Sequence, residues 1–456
     1  MPRWLKRVLA FFAIGLSALA LLVAGIAVAA YVLNAHDEQL SSQARAFLVA
    51  PPNDLKPEDN LFVQLAGLSA PSGGSTTAAG LALAARYERV YASSPPDYEE
   101  LKHLTEPDPT ALNFVGAAQF CAMRDGSVWT DAPAHEADLA SLSIDNAELY
   151  GRYLDLPRQR GFYDFTAGSA LTVFFTSTGL RCLFLADVTL RLRSASSAVR
   201  AQALGALTRD ILVWRTMLTG DGGLVSKMLP IGYLHADYLV LADALADPAF
   251  VLPEVNDPNE VAPLFELAAW DIGDVFPVEL RFFVKDLHLT VESERAKDKT
   301  RYFQLNATTN LHAARVAALM KLAAPDPEHY AALISLEGEQ RREYGYSAFA
   351  HLFNPVGHAL EVIAAPAWND YLPRAWDGAA LQRLVRLAYE IRHQRIAPDG
   401  IAAFIRAHPE IATHPGDGRA FEYDAAKHEL RMHPLGKQTS GQQRRYAIPV
   451  WRGPAA

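Results

Sequence analysis

The pattern of apolar and polar positions isolates one segment from the rest of the chain. Residues 8–33, VLAFFAIGLSALALLVAGIAVAAYVL, form 26 residues without a charge. A hydrocarbon layer of ~30 Å needs roughly 20 apolar residues in a helix, so this run predicts a tilted membrane span. Arg3, Lys6 and Arg7 precede it, and Asp37 and Glu38 follow it. The positive-inside rule then puts the short N-terminal tip in the cytoplasm and the remaining chain across the membrane. A cleavable signal peptide is the rival reading. Ala27-Val28-Ala29 fits an A-x-A site with cleavage before Ala30, although the apolar core of such a peptide runs only about 7–15 residues. Both readings export the same domain. A buried core helix, the third reading, leaves the basic flank and the terminal position without a reason.

Behind this segment the pattern is mostly helical. Residues 36–49 read as a stalk continuing the helix until Pro51 and Pro52 stop it. Residues 51–75 read as a loop with one ordered piece, Leu61–Leu68, and 77–92 as a helix. Pro133, Glu136 and Asp138 suit the first turn of a helix running to Tyr153. The apolar stretch 167–193 has the length of a second span. Arg181 and Asp187 argue against lipid, so it reads as a core helix, or two broken near Gly179. Leu204, Leu207, Ile211, Trp214 and Leu218 form one stripe of a helix over 197–219. Gly220, Gly222 and Gly223 end it. Leu224, Met228, Ile231, Leu234, Tyr238, Leu241 and Leu245 form the stripe of a second helix over 224–246, which Pro230 kinks or begins. The short link predicts an antiparallel helical hairpin, stripe against stripe.

Four prolines in 248–263 mark a loop and a domain joint. Residues 260–271 and 309–323 read as helices, 279–294 as either strand or helix, and 324–377 as mixed and proline-punctuated. Leu381, Leu384, Ala388 and Ile391 form a further helical stripe, and Ile401–Ala407 adds a short helix. HPGDG at 414–418 reads as a turn, and the alternation in 421–423 and 430–432 as a β-hairpin. The expected fold is mainly α: an N-terminal transmembrane helix, a helical-hairpin exported domain and a small C-terminal β-hairpin. Its parts are a tip and anchor over 1–34, a helical domain over 35–250, and a second, mostly helical part over 264–456.

Composition changes this picture in one respect. The 456 residues are 50% hydrophobic, enough for a sizeable core. The first 34 hold three bases and no acids, leaving 39 bases against 51 acids, a net charge of −12 on the remainder. That acidity argues against nucleic acid as a partner. Cys121 and Cys182 are the two cysteines. An oxidising compartment would permit a disulfide between them, and two buried thiols are the alternative.

The blocks DNLFVQLAGLSAP (59–71), AELYGRYLDL (147–156), RDILVWRTMLTGDGGLVSKML (209–229), TRYFQLNATTN (300–310), HLFNPVGHAL (351–360) and GRAFEYDAAKHEL (418–430) resemble recurring pieces of uncharacterised proteobacterial proteins. The resemblance implies a single-pass, mostly helical envelope protein and transfers no activity or catalytic residue. It also implies two cysteines close together near Cys121, whereas here the second lies at 182.

Motifs for chemistry are sparse. Gly168-Ser169 and Ser440-Gly441 do not complete G-x-S-x-G. His351 and His358 lie seven apart across an Asn-Pro break, without the register of H-E-x-x-H. His408 and His414 fall in turns. Acids such as Asp97, Glu99, Glu100, Glu337 and Glu339 read as solvated faces rather than a glycosidase pair. Trp214 reads as core, with Arg215 its solvated neighbour, and Asn306-Ala307-Thr308 as a chance sequon. No catalytic residue, metal ligand or cofactor site is assigned. The expected role is an inner-membrane-anchored binding or scaffolding protein with its body in the periplasm and an envelope protein as partner. The alternative is a periplasmic hydrolase of an envelope polymer, for which His351, His358 and a carboxylate would converge.

Overall fold

The structure, a computed structural model, describes residues 2–92, 109–116, 128–166, 175–250, 262–265, 270–295, 302–346, 352–436 and 446–452. Helix α1 (Arg3–Leu33) is long and apolar enough to cross a membrane, and none of Ala10–Leu33 is buried in the protein. It does not continue into a stalk. It stops at Asn34, and the chain bends before α2 (Ser42–Leu48). The stop has a polar cause. Asn34 Nδ2 donates to the Ala30 carbonyl at 2.7 Å, competing with continuation of the helix, and to the Leu352 carbonyl at 2.6 Å.

Helices α3 (Leu61–Ala66) and α4 (Thr76–Ala92) pack closely together. The approach is tight at Gly67 and Gly80, where an added Cβ would lie 1.8 Å from the Thr76 carbonyl oxygen and 2.0 Å from that of Val63. The predicted helix up to Tyr153 is instead two, α5 (Glu136–Asp145) and α6 (Ala147–Leu154), divided at Asn146. Asn146 bonds across to both the N–H and the C=O of Val115, which turns the chain. Helix α7 (Phe175–Leu192) runs unbroken through Gly179. Helices α8 (Ser197–Thr219) and α9 (Leu224–Ala246) match the expected hairpin and pack on each other. Pro230 lies inside α9 without ending it.

Downstream, within 260–271, Ala262–Phe265 forms a 3₁₀ turn, and 260, 261 and 266–269 lie outside the described residues. The ambiguous 279–294 lies in helix α10 (Val275–Arg295), and α11 (Leu305–Lys321) follows. The region read as mixed is also helical: α12 (Pro327–Tyr346), then α13 (Pro355–His393), 39 residues long. Helix α13 passes through Pro366 and Pro373, which interrupt its hydrogen-bond ladder without ending it. Helix α13 packs along α9, so residues before and after the proline-rich loop share one apolar core. Trp214, Trp270 and Trp376 are its largest fully buried side chains. After α14 (Ile401–Ala407), three short strands form one antiparallel sheet: β1 (Glu422–Asp424), β2 (Glu429–Arg431) and β3 (Ala447–Pro449). The expected hairpin is β1–β2; β3 was not expected. It brings Ile448 opposite Leu430, both fully buried.

Two arginines close helix ends from a distance. Arg392 on α13 donates to the carbonyls of Leu245, Asp247 and Phe250, satisfying the C-terminus of α9. Arg152 on α6 donates to the carbonyls of Leu68, Ala70 and Pro71 beyond α3.

Candidate functional site

Two open clefts flank α7 and α8. One open cleft of about 450 Å³ is lined by Tyr153, Phe184, Arg191, Gln202, Arg209 and Asp210, among others. A second, of about 540 Å³, lies between α5 and α7 and includes Glu136, Ser143, Asp187, Arg193 and Ser194. Arg191 lines both. These volumes fall in the range that holds small ligands. The walls are mixed in charge. Asp187 pairs with Arg191 at 3.6 Å and accepts the Tyr150 hydroxyl at 3.1 Å. Arg193 lies over the Trp129 ring at 5.4 Å and donates to its carbonyl. Such arginine-lined walls suit hydrogen bonding to a polar or anionic group.

Beneath the first cleft lies a buried ionic cluster. The Arg181 guanidinium pairs with both Asp210 and Asp237 and donates to the Tyr233 carbonyl. It also lies 5.0 Å from the Tyr233 ring and 5.7 Å from that of Trp214. Asp210 further accepts from the Tyr153 hydroxyl at 2.8 Å and from Trp214 Nε1 at 2.9 Å. Burial pushes both carboxyls up, against the pull of Arg181, and Asp237 the further of the two. Burial alone would lower Arg181, but the two aspartates outweigh it and hold its proton firmly. The cluster ties α6, α7, α8 and α9 together, with Arg181 Nε and Asp237 Oδ2 left without hydrogen-bond partners inside it.

Lys227 is fully buried, and its Nζ donates to the carbonyls of Leu218 and Gly220 at the end of α8. Burial lowers it to about 8. Its ammonium therefore closes the hairpin link from inside.

Two buried histidines have carboxylate neighbours. His414 Nε2 lies 3.2 Å from Asp377, and Nδ1 accepts the Gly416 N–H at 3.0 Å. Asp377 in turn accepts the N–H groups of Leu435 and Gly436. His312 Nδ1 lies 2.7 Å from Glu361, but outside hydrogen-bond alignment. Burial tends to raise Glu361, yet His312 and Arg315 together hold it below its ordinary value. His414 is 1% exposed and His312 fully enclosed, so neither can reach a solute as they stand.

The residues singled out in the sequence do not assemble into a site. His358 lies in the first turn of α13, and His351 falls outside the described residues. Asp97, Glu99 and Glu100, and the side chains of Glu337 and Glu339, also fall outside them. His408 pairs with Glu410 at 3.2 Å on the surface. Cys182 is disulfide-bonded, and Cys121, the other cysteine of the chain, lies outside the described residues. Trp214 is core as expected, but Arg215 is buried rather than solvated. The Arg181, Asp210 and Asp237 cluster was not anticipated. Its signal was present: Asp210 and Asp237 each adjoin a stripe residue, Ile211 and Tyr238. Among the described residues, no group of three or more His, Cys, Asp or Glu side chains is placed to hold a metal ion. No protein-family model, characterised protein or solved structure matches this chain.

Proposed function

We propose that this chain is a membrane-anchored binding or scaffolding protein of the bacterial cell envelope. Helix α1 lies in the inner membrane with Arg3, Lys6 and Arg7 on the cytoplasmic side. The helical body stands in the periplasm and recognises an envelope partner through the arginine-lined clefts at α7 and α8. The observation that carries this reading is the state of α1. It is a long apolar helix with none of Ala10–Leu33 buried, and water is an unfavourable solvent for such a surface. A disulfide at Cys182 suits an oxidising compartment.

The first cleft supports recognition through its arginines. Asp210 stands at its floor, but the Asp210 carboxyl is engaged by Arg181, Tyr153 and Trp214. The hydrolase reading needs a group that is free to meet a substrate, and Asp210 is not. Two measurements test the proposal on the full chain. A C-terminal alkaline phosphatase fusion should be active, and a C-terminal fluorescent protein that matures only in the cytoplasm should be dark; the reverse pattern refutes the topology. Complexes isolated from membranes in mild detergent should contain a stoichiometric partner that Arg191→Ala with Arg209→Ala removes. Retention of every associated protein by that variant refutes the role of the clefts.

A further inference from the structure

The junction between α1 and the body is built, not flexible. Asn34 is 5% exposed. Its Oδ1 accepts the Asn354 N–H at 2.9 Å, and its carbonyl accepts Gln304 Nε2 at 2.7 Å. Asn354 holds a left-handed conformation, φ +47°, and its side chain bonds the Gln304 N–H and the Thr308 hydroxyl. Ala29 and Ala30, in the last turn of α1, are half-covered. The body therefore meets α1 at the end of its apolar run, with no spacer between them.

Large apolar side chains stand exposed beside this junction. Val356 is 44% exposed and lies two residues beyond Asn354; its N–H donates to the carbonyl of Tyr302. Tyr302 is 45% exposed and lies two residues before Gln304. Both are thus within two residues of groups bonded directly to Asn34. Tyrosine is favoured where hydrocarbon gives way to headgroups, since its ring is apolar and its hydroxyl wet.

Resting on the anchored reading above, we infer that Tyr302 and Val356 form a second membrane contact, a lipid-facing patch that seats the body against the outer headgroup layer. The occupant is the bilayer surface because the patch is continuous with the end of the spanning helix, where the Asn34 bonds fix it. A body held at two places cannot swing about α1, so its clefts keep a constant height and direction above the membrane.

The test uses the full chain in nanodiscs whose lipids carry bromine near the top of the acyl chain, which quenches nearby tryptophan. Tyr302→Trp and Val356→Trp are compared with Ile144→Trp, an exposed position on α5. The emission added at 302 and 356 should be quenched several-fold more than that added at 144. Equal, weak quenching at all three overturns the inference, whether the patch meets water or another protein. Native Trp4, exposed on α1, reports separately. If the emission removed by Trp4→Phe is not quenched by lipids brominated at any depth, the anchored reading fails instead. If it is quenched while 302 and 356 are not, only the second contact fails.

Discussion

Asp37, just beyond the anchor, accepts the backbone N–H of Asn306 at 2.8 Å and that of Ala307 at 3.1 Å. Helix α11 has no cap of its own, because the Gln304 side chain makes no capping bond. Its N-terminus is completed by a carboxylate 269 residues earlier in the chain, which satisfies orphan donors and suits the helix dipole. Asn306 and Asn310 return bonds to the carbonyls of Glu38 and Gln39.

Asp37→Ala should therefore cost about 1 kcal/mol, in the range of lost helix caps. Asn34→Ala should cost more, about 2–4 kcal/mol, because the Leu352 carbonyl and the Asn354 N–H lose buried partners. Thermal unfolding in detergent measures both. A double variant no worse than Asn34→Ala would show that the two act as one clasp.

The Arg181 cluster predicts opposite outcomes at its two ends. Arg181→Met strands two buried carboxyls and should destabilise by about 3–5 kcal/mol. Asp237→Asn keeps the shape and the acceptor oxygen while removing the ionisable proton. Burial raises the folded Asp237 pKa above its unfolded value. The folded chain then binds more protons, and stability falls as pH rises above about 4. The variant lacks that loss, so its stability relative to the parent should grow from pH 4 to pH 7. A relative stability that declines over that interval contradicts the upward shift at Asp237.

Much of the helical layout was legible in the sequence, and the failures have physical causes. The α8–α9 hairpin was readable because its stripes repeat at helical spacing and glycines close the link. Helix α13 was hidden because Pro366 and Pro373 look like breakers, yet the helix runs through both, with Leu372, Ala375 and Trp376 beside Pro373 fully buried in the core. The stop of α1 at Asn34 was invisible because its partners, Gln304, Leu352 and Asn354, lie some 300 residues away. The Arg181 cluster was concealed similarly: its three charges lie on three separate helices, and only those helices brought together show them paired.

Lys227 predicts a rise in stability on the alkaline side. Its folded value of about 8 lies below the ordinary 10.5. Between those values the unfolded chain holds more protons, so this group's contribution to stability climbs with pH. Lys227→Met should remove that climb while leaving the Leu218 and Gly220 carbonyls without their donor. Chemical denaturation at pH 7.5 and 9.5 checks the sign: the parent should gain relative to the variant.

The disulfide predicts a chemical result. A digest without reductant should release Cys182 only in a cross-linked peptide, and the sequence offers Cys121 as its partner. Reduction should lower stability by about 2–5 kcal/mol. Alkylation of Cys182 in the unreduced, unfolded chain contradicts the bond.

The side of the membrane on which the body stands decides which partners it can meet. Protease added to intact spheroplasts carrying the full chain with a C-terminal tag addresses this directly. The tag and body should be digested from outside, leaving a small fragment around α1 in the membrane. A body untouched until lysis would place it in the cytoplasm and contradict the anchored, periplasmic reading.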